Sequence, residues 1–293
     1  MDMQIALGQH LVTGFQGPVI TDEFIRNICQ SKIGNVILFE NNVVDQTQLK
    51  AMCEQITALV LRETGYPPMI TIDQEGGAVS RLKEDATIFP SAMAVAATGN
   101  VENARIVGRI TGEELRAMGV NFNLAPVMDV NSNPNNPVIG VRSYGDDPSQ
   151  VAKYGIAMAQ GLAESGILSS LKHFPGHGDT AVDSHLGLPC VDKSLDELLT
   201  CELAPFQAAI DAGVPAVMTT HILFPQLEPD GVPATMSRRI LTDLLKRRMG
   251  VQGLVISDCM MMGAIAQYYG TVEGSIAALR AGVDLVFVSH DSS

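Results

Sequence analysis

Short, densely apolar runs alternate with longer amphipathic ones through the whole chain. Eight of the short runs carry the unalternating apolar character of strands buried on both faces: residues 9–15, 35–39, 69–72, 122–127, 168–173, 216–222, 253–256 and 284–288. Between them, segments with apolar residues three and four apart predict helices, among them 45–62, 103–117, 148–164, 195–212 and 238–249. The order is a repeated strand–helix unit. Eight such units in 293 residues predict a closed (β/α)₈ barrel, a TIM-like α/β fold, in a single domain spanning 1–293. A doubly wound open sheet is the competing reading, but no G-x-G-x-x-G follows the first run. The sequence stops just after the eighth run, so the expected barrel lacks its final helix. Such a barrel would expose apolar surface between its last and first strands, or cover it by forming a homo-oligomer.

One stretch breaks the pattern. KHFPGHGDTAVDSHLG, residues 172–187, holds three histidines, two aspartates, a lysine and three glycines directly after an apolar run. Its glycines and proline deny it a helix, so it reads as a loop leaving a strand end, where active sites of barrels are built. Other strand ends are polar too: Asp73 in ITIDQEGG, Asp129 in APVMDVN, His221 in MTTHI and Asp258 in VISDCM. A lone aspartate at a strand end is commonly a turn or capping residue. Five strand ends carrying polar groups at one rim make a reaction site the better reading.

Composition narrows the classes. With 46% hydrophobic and 17% charged residues the chain can bury a full core, which excludes disorder. Its net charge of -13 would repel phosphate backbones and anionic lipid, so neither nucleic acid nor membrane is an expected partner. No basic segment precedes an apolar stretch at the N-terminus, and no run approaches the roughly 18 apolar residues of a membrane span, so a cytoplasmic location is expected. Five scattered cysteines, never spaced C-x-x-C, predict buried, reduced thiols rather than disulfides or a zinc cage. No cofactor or metal is expected.

The motifs together resemble one family: IDQEGG at 72–77, LAPVMDV at 124–130, RSYGDDP at 142–148, KHFPGHGDT at 172–180, DSH at 183–185, PATMS at 233–237 and SDCMMMGAI at 257–265. They are similar to those of the glycoside hydrolase family 3 β-N-acetylglucosaminidases, and the match runs nearly end to end. That resemblance implies a retaining exo-acting enzyme that removes terminal N-acetylglucosamine from peptidoglycan-derived or chitin-like oligosaccharides. It also implies Asp258 as nucleophile and His185 as acid/base, oriented by Asp183. Asp73, Arg81, Arg142, Lys172 and His173 match residues that hold the sugar. The chain departs from the family at Cys259, where a second acidic residue is common.

Elementary chemistry fits these roles. Retaining hydrolysis needs a carboxylate to attack the anomeric carbon and a second group to protonate the leaving oxygen, then deprotonate water. Histidine, titrating near 6.5, can do both. In an extended loop residues two apart project to one side, so Asp183 can reach the His185 ring. Other residues have simpler readings: His177 and His221 as loop or core anchors, Asp146 as a brace for the Arg142 turn, and Met260, Met261 and Met262 as core filling. Rival functions are a metal-dependent amidohydrolase using His177, Asp179, Asp183 and His185, a Schiff-base lyase using Lys172, a phosphorolytic enzyme of the same family, and a catalytically weak sugar-binding protein.

Overall fold

The computed structural model describes residues 2–181 and 188–289. Its strands are β1 Leu11–Thr13, β2 Asn35–Leu38, β3 Met69–Ile72, β4 Phe122–Asn123, β5 Leu168–Phe174, β6 Ala216–Thr219, β7 Leu254–Cys259 and β8 Leu285–Val288. They pair in parallel in chain order and close through β8 on β1, with Val12 opposite both Asn35 and Phe287. The barrel read from the sequence is the barrel observed. Side chains alternate across each strand, so Val36 and Leu38 join the layer under the helices while Ile37 between them points inward. Ile37 meets Val12, Phe122, Leu124, Met218, Ile256 and Phe287 in the barrel interior. Both faces are therefore apolar, which is why the runs do not alternate.

The helices begin and end where local chemistry dictates. Asp45 caps the helix Gln46–Thr64 by accepting from Gln48 N at 2.7 Å, and Gly65, at φ 79°, ends it. The helices Glu102–Ala117 and Pro148–Glu164 approach backbone to backbone, because a Cβ on Gly108 would stand 2.2 Å from the Met158 carbonyl oxygen and one on Gly161 2.1 Å from that of Arg105. The segment 195–212, read as one helix, is two: Leu195–Thr200 and Leu203–Asp211. Pro205 has no N–H for the carbonyl of Cys201, and its ring crowds that carbonyl. Helices Asp22–Ser31 and Thr271–Ala281 complete the first and seventh units. No helix among the described residues follows β8, and none is long and apolar enough to cross a membrane.

Candidate active site

A cavity of about 460 Å3 opens at the C-terminal rim above Ile37, Leu124, Met218 and Phe287 of the barrel interior. Its wall on the β3–β5 side is charged. After β3 the chain doubles back: Gly76 and Gly77 take φ of 97° and 59°, and a Cβ on Gly77 would fall 1.8 Å from Ser91 Oγ. Gln74 locks the turn, exchanging hydrogen bonds of 3.0 and 2.9 Å with the Asn123 amide and accepting from Arg81 N at 2.8 Å. Asp73, Glu75 and Arg81 thereby face one cavity. The Arg81 Nε is buried and has no acceptor among the described residues.

Lys172, at 2% side-chain exposure, extends from β5 and sits 2.6 Å from both Asp73 and Glu75. Arg142 donates through Nε and NH2 to the two Glu75 oxygens at 2.8 and 2.7 Å. Burial by itself would raise the Glu75 carboxyl, but Lys172 and Arg142 hold it well below the usual carboxylate range. Burial would likewise lower Lys172, and Asp73 and Glu75 reverse that and raise it. Glu75, Arg142 and Lys172 thereby stay ionised. A Schiff-base lysine must lose its proton easily, so this environment argues against the lyase reading.

Behind this frame lies Asp129, fully buried in the segment that follows β4. It accepts from His173 N at 3.2 Å, from His173 Nδ1 at 2.7 Å and from His177 N at 2.7 Å. Burial would raise its carboxyl, and the two histidines more than offset that. A carboxylate only accepts, so His173 donates from Nδ1 and turns Nε2 toward Arg142 NH2, 3.5 Å away. His177 Nδ1 meets Thr180 Oγ1 at 2.8 Å, and burial pushes the ring down to about 4. Its bonds to Asp129 and Thr180 anchor the start of the loop, and the residue also lines the cavity.

The β6–β8 side is nearly neutral. Asp258 ends β7 with its Oδ1 accepting from Cys259 N at 2.7 Å. His221, fully buried, places Nε2 3.0 Å from the Cys259 carbonyl, and that oxygen can only accept, so the ring is the donor. Cys259 Sγ lies 3.0 Å from Ser289 Oγ. The backbone beside Asp258 is thus tied to both neighbouring strands.

Of the residues singled out in the sequence, Asp73, Arg81, Arg142, Lys172, His173 and Asp258 line this one cavity. Asp183 and His185 lie outside the described residues. Asp146 does not brace Arg142: it is exposed and has no side-chain partner among the described residues, and Glu75 takes that part. Buried thiols hold for Cys53, which burial pushes up to about 12, but Cys190 is exposed and Cys259 lines the cavity. Met260 and Met262 are core, whereas Met261 is 39% exposed at the rim. Among the described residues no three His, Cys, Asp or Glu side chains are placed to share a metal, and Asp179 pairs instead with Lys193 at 3.0 Å. Glu75 escaped the sequence reading. The signal was there, since Asp73 and Glu75 are two residues apart in an extended segment and so project to one side.

A closed parallel barrel with a frame of paired charges and an oriented carboxylate facing each other across its rim cavity defines the class: a (β/α)₈ barrel with a polar site built at the C-terminal ends of its strands. The particular family follows from comparison with known proteins. The glycosyl hydrolase family 3 N-terminal domain matches residues 7–293. A β-hexosaminidase A of Pseudoalteromonas piscicida is 40% identical over 278 residues, covering 89% of this chain and 46% of that protein. A β-hexosaminidase of Thiobacillus denitrificans is 36% identical over 286 residues, covering 96% and 78%. Among solved structures, a glycoside hydrolase family 3 β-N-acetylglucosaminidase from Paenibacillus sp. str. FPU-7 superposes with a TM-score of 0.97 at 42% identity, covering all of this chain and 56% of that one. NagZ from Neisseria gonorrhoeae in complex with N-trifluoroacetyl-D-glucosamine gives 0.86 at 35% identity, covering 96% and 81%. The chain belongs to glycosyl hydrolase family 3. It spans about half the length of the Pseudoalteromonas and Paenibacillus proteins.

Proposed function

We propose that the chain is a retaining exo-β-N-acetylglucosaminidase acting on peptidoglycan-derived or chitin-like oligosaccharides in the cytoplasm. The observation that carries this reading is the cavity itself: Asp258, oriented by its neighbour's N–H, faces a set of hydrogen-bonding charges that includes the unpaired Nε of Arg81. That arrangement suits a pyranose ring held by its hydroxyls while a carboxylate approaches the anomeric carbon. In the first step Asp258 would form an ester to the anomeric carbon as the bond to the leaving oxygen breaks, with His185 giving that oxygen a proton. In the second, water attacks the same carbon, His185 takes its proton back, and Asp258 is released. Asp183 would orient the His185 ring. The names of the relatives favour N-acetylglucosamine as the glycone.

A second reading concerns the acceptor. A neutral histidine base presents no negative charge to the incoming group, so phosphate can compete with water and give the sugar 1-phosphate. Rates of release from aryl β-glycosides of N-acetylglucosamine, N-acetylgalactosamine and glucose test the function, and product analysis in phosphate buffer tests the acceptor. Preferential cleavage of the N-acetylglucosaminide to free sugar is expected. Preference for the glucoside, or no cleavage of any of the three, would overturn the assignment.

A further inference from the structure

Two carboxylates enter the cavity from the β3 loop, and the structure treats them differently. Asp73 is 17% exposed and gives Oδ1 to Lys172, while its Oδ2 has no partner among the described residues. Glu75 is 6% exposed, and both of its oxygens are occupied: Oε1 by Lys172 and Arg142 NH2, Oε2 by Arg142 Nε. A carboxylate placed to touch sugar hydroxyls needs an oxygen to offer. Asp73 has one and Glu75 does not.

We infer that Glu75 is a positioning residue of the sugar site, an internal counter-ion that aims Arg142 and Lys172 at the glycone and leaves contact with it to Asp73. The inference rests on the reading that this cavity binds the sugar. Glu75 takes Arg142 by the Nε edge in a two-point grip, which fixes the plane of the guanidinium as a single contact cannot. With NH1 turned to the Val138 carbonyl at 3.3 Å and NH2 also facing His173 Nε2, little rotational freedom remains. The same carboxylate also holds Lys172 at 2.6 Å, so the ammonium is shared between Glu75 and Asp73 rather than committed to the oxygens the sugar would use. Glu75 cannot serve as a proton donor, because two cations keep it ionised.

The ionisable groups around Lys172 are Asp73, Glu75 and Arg81 from the β3 loop, Arg142 from the 3₁₀ turn Gly140–Arg142, Asp129, His173 and His177 behind it, and Asp258 across the cavity. Removing the Glu75 charge leaves a buried ammonium with Asp73 as its sole direct counter-ion. Lys172 then surrenders its proton at lower pH. A residue that merely fills space would not have this effect.

The test uses the whole chain as E75Q and E75D. Steady-state hydrolysis of an aryl N-acetyl-β-glucosaminide is followed together with thermal stabilisation by N-acetylglucosamine across pH, since binding, unlike hydrolysis, does not require the proposed acid His185 to be protonated. E75Q should lower kcat/KM about 100-fold, the scale set by misplacing binding groups, with N-acetylglucosamine stabilisation weakened and lost at lower pH than in the wild type. E75D keeps the charge but shortens the reach, so its kcat/KM should fall while the pH dependence of that stabilisation stays in place. Wild-type kinetics in E75Q, or a loss of activity with the pH dependence of stabilisation unmoved, would overturn the inference. Should E75Q fail to fold, E75D decides: wild-type kcat/KM or a displaced pH dependence of stabilisation in that variant overturns it. A wild-type chain that binds N-acetylglucosamine without cleaving it would sink the hydrolase reading alone, and Glu75 would then be judged on binding. One that neither binds nor cleaves sinks both.

Discussion

The two walls of the rim cavity solve different problems. On the β3–β5 side, Asp73, Glu75, Arg142 and Lys172 neutralise one another within hydrogen-bond distance, and Asp129 orders the histidines behind them. On the β6–β8 side Asp258 is the single carboxylate among the described lining residues, and its neighbours are a thiol, methionines and a serine. Charges that compensate one another form a polar surface suited to hydrogen bonding, and in the proposed function they hold the sugar. Asp258 lies on the other wall and in the same proposal supplies the chemistry. Each change below attacks one side of that contrast.

The largest effect is expected on the sparse wall. D258A removes the group proposed to form the glycosyl ester, so kcat should fall by roughly 10⁴-fold or more while N-acetylglucosamine still stabilises the protein against heat. An activated fluorosugar should label Asp258 in the wild type. Label on another residue would reassign the nucleophile. H185A should slow substrates with poor leaving groups by about 10²- to 10⁴-fold and activated aryl substrates far less, with D183N milder in the same sense. Equal losses for both leaving groups, with the first step shown to limit the rate, would remove this pair from the acid role.

The barrel was legible in the sequence because strands covered on both faces read as continuous apolar runs, and all eight were found. Those of β1, β2, β4 and β6 were read too long at their C-terminal ends, whereas β5 and β7 run on past the ends read for them, to Phe174 and Cys259. Leu124 to Val127 lie past the regular part of β4 yet still bond to both neighbouring strands, Leu124 N to the Ile72 carbonyl at 2.8 Å and Ser170 N to the Ala125 carbonyl at 3.1 Å, while Thr220 to Ile222 bond on one side to Phe174 of β5 and on the other to the loop at Ala234 and Thr235. The residues of the cavity were legible from motifs and strand ends, but their pairings were not. Arg142 lies four residues from Asp146 in the chain, yet its partner is Glu75, 67 residues away, because barrel closure brings the β3 and β4 loops together and leaves Asp146 in solvent. Pairing across loops is a product of the fold, and no local pattern encodes it.

Acid should dismantle the charged wall. The folded chain protonates His177 only near pH 4, whereas an unfolded histidine takes its proton near 6.5. Between those values the unfolded state binds more protons, so stability falls as pH is lowered from 6.5 to 4, by a total of order 3 kcal/mol. Glu75 and Asp129, both held below the ordinary carboxylate range, withdraw stability in the same direction as they protonate at still lower pH. Urea unfolding at pH 7 and pH 4.5 should show the loss, and H177Q should flatten it. A slope unchanged by H177Q would place the acid-sensitive group elsewhere.

The smallest change puts a charge where the structure has none. C259D sets a second carboxylate beside Asp258, at the position where the family commonly carries an acid. Cys259 meets Ser289 through its thiol, and among the described residues no cation pairs with it. A neighbouring negative charge disfavours ionisation of Asp258 and raises its pKa. The nucleophile must be ionised to attack, so the acidic limb of kcat/KM should move to higher pH by about one unit, with the maximal rate little altered. The alkaline limb, which the proposed acid His185 sets, should move less than the acidic one. Equal movement of both limbs would mean that the new charge acts on the acid as strongly as on the nucleophile. An acidic limb that does not move would mean that Asp258 is not the group whose ionisation limits the reaction at low pH.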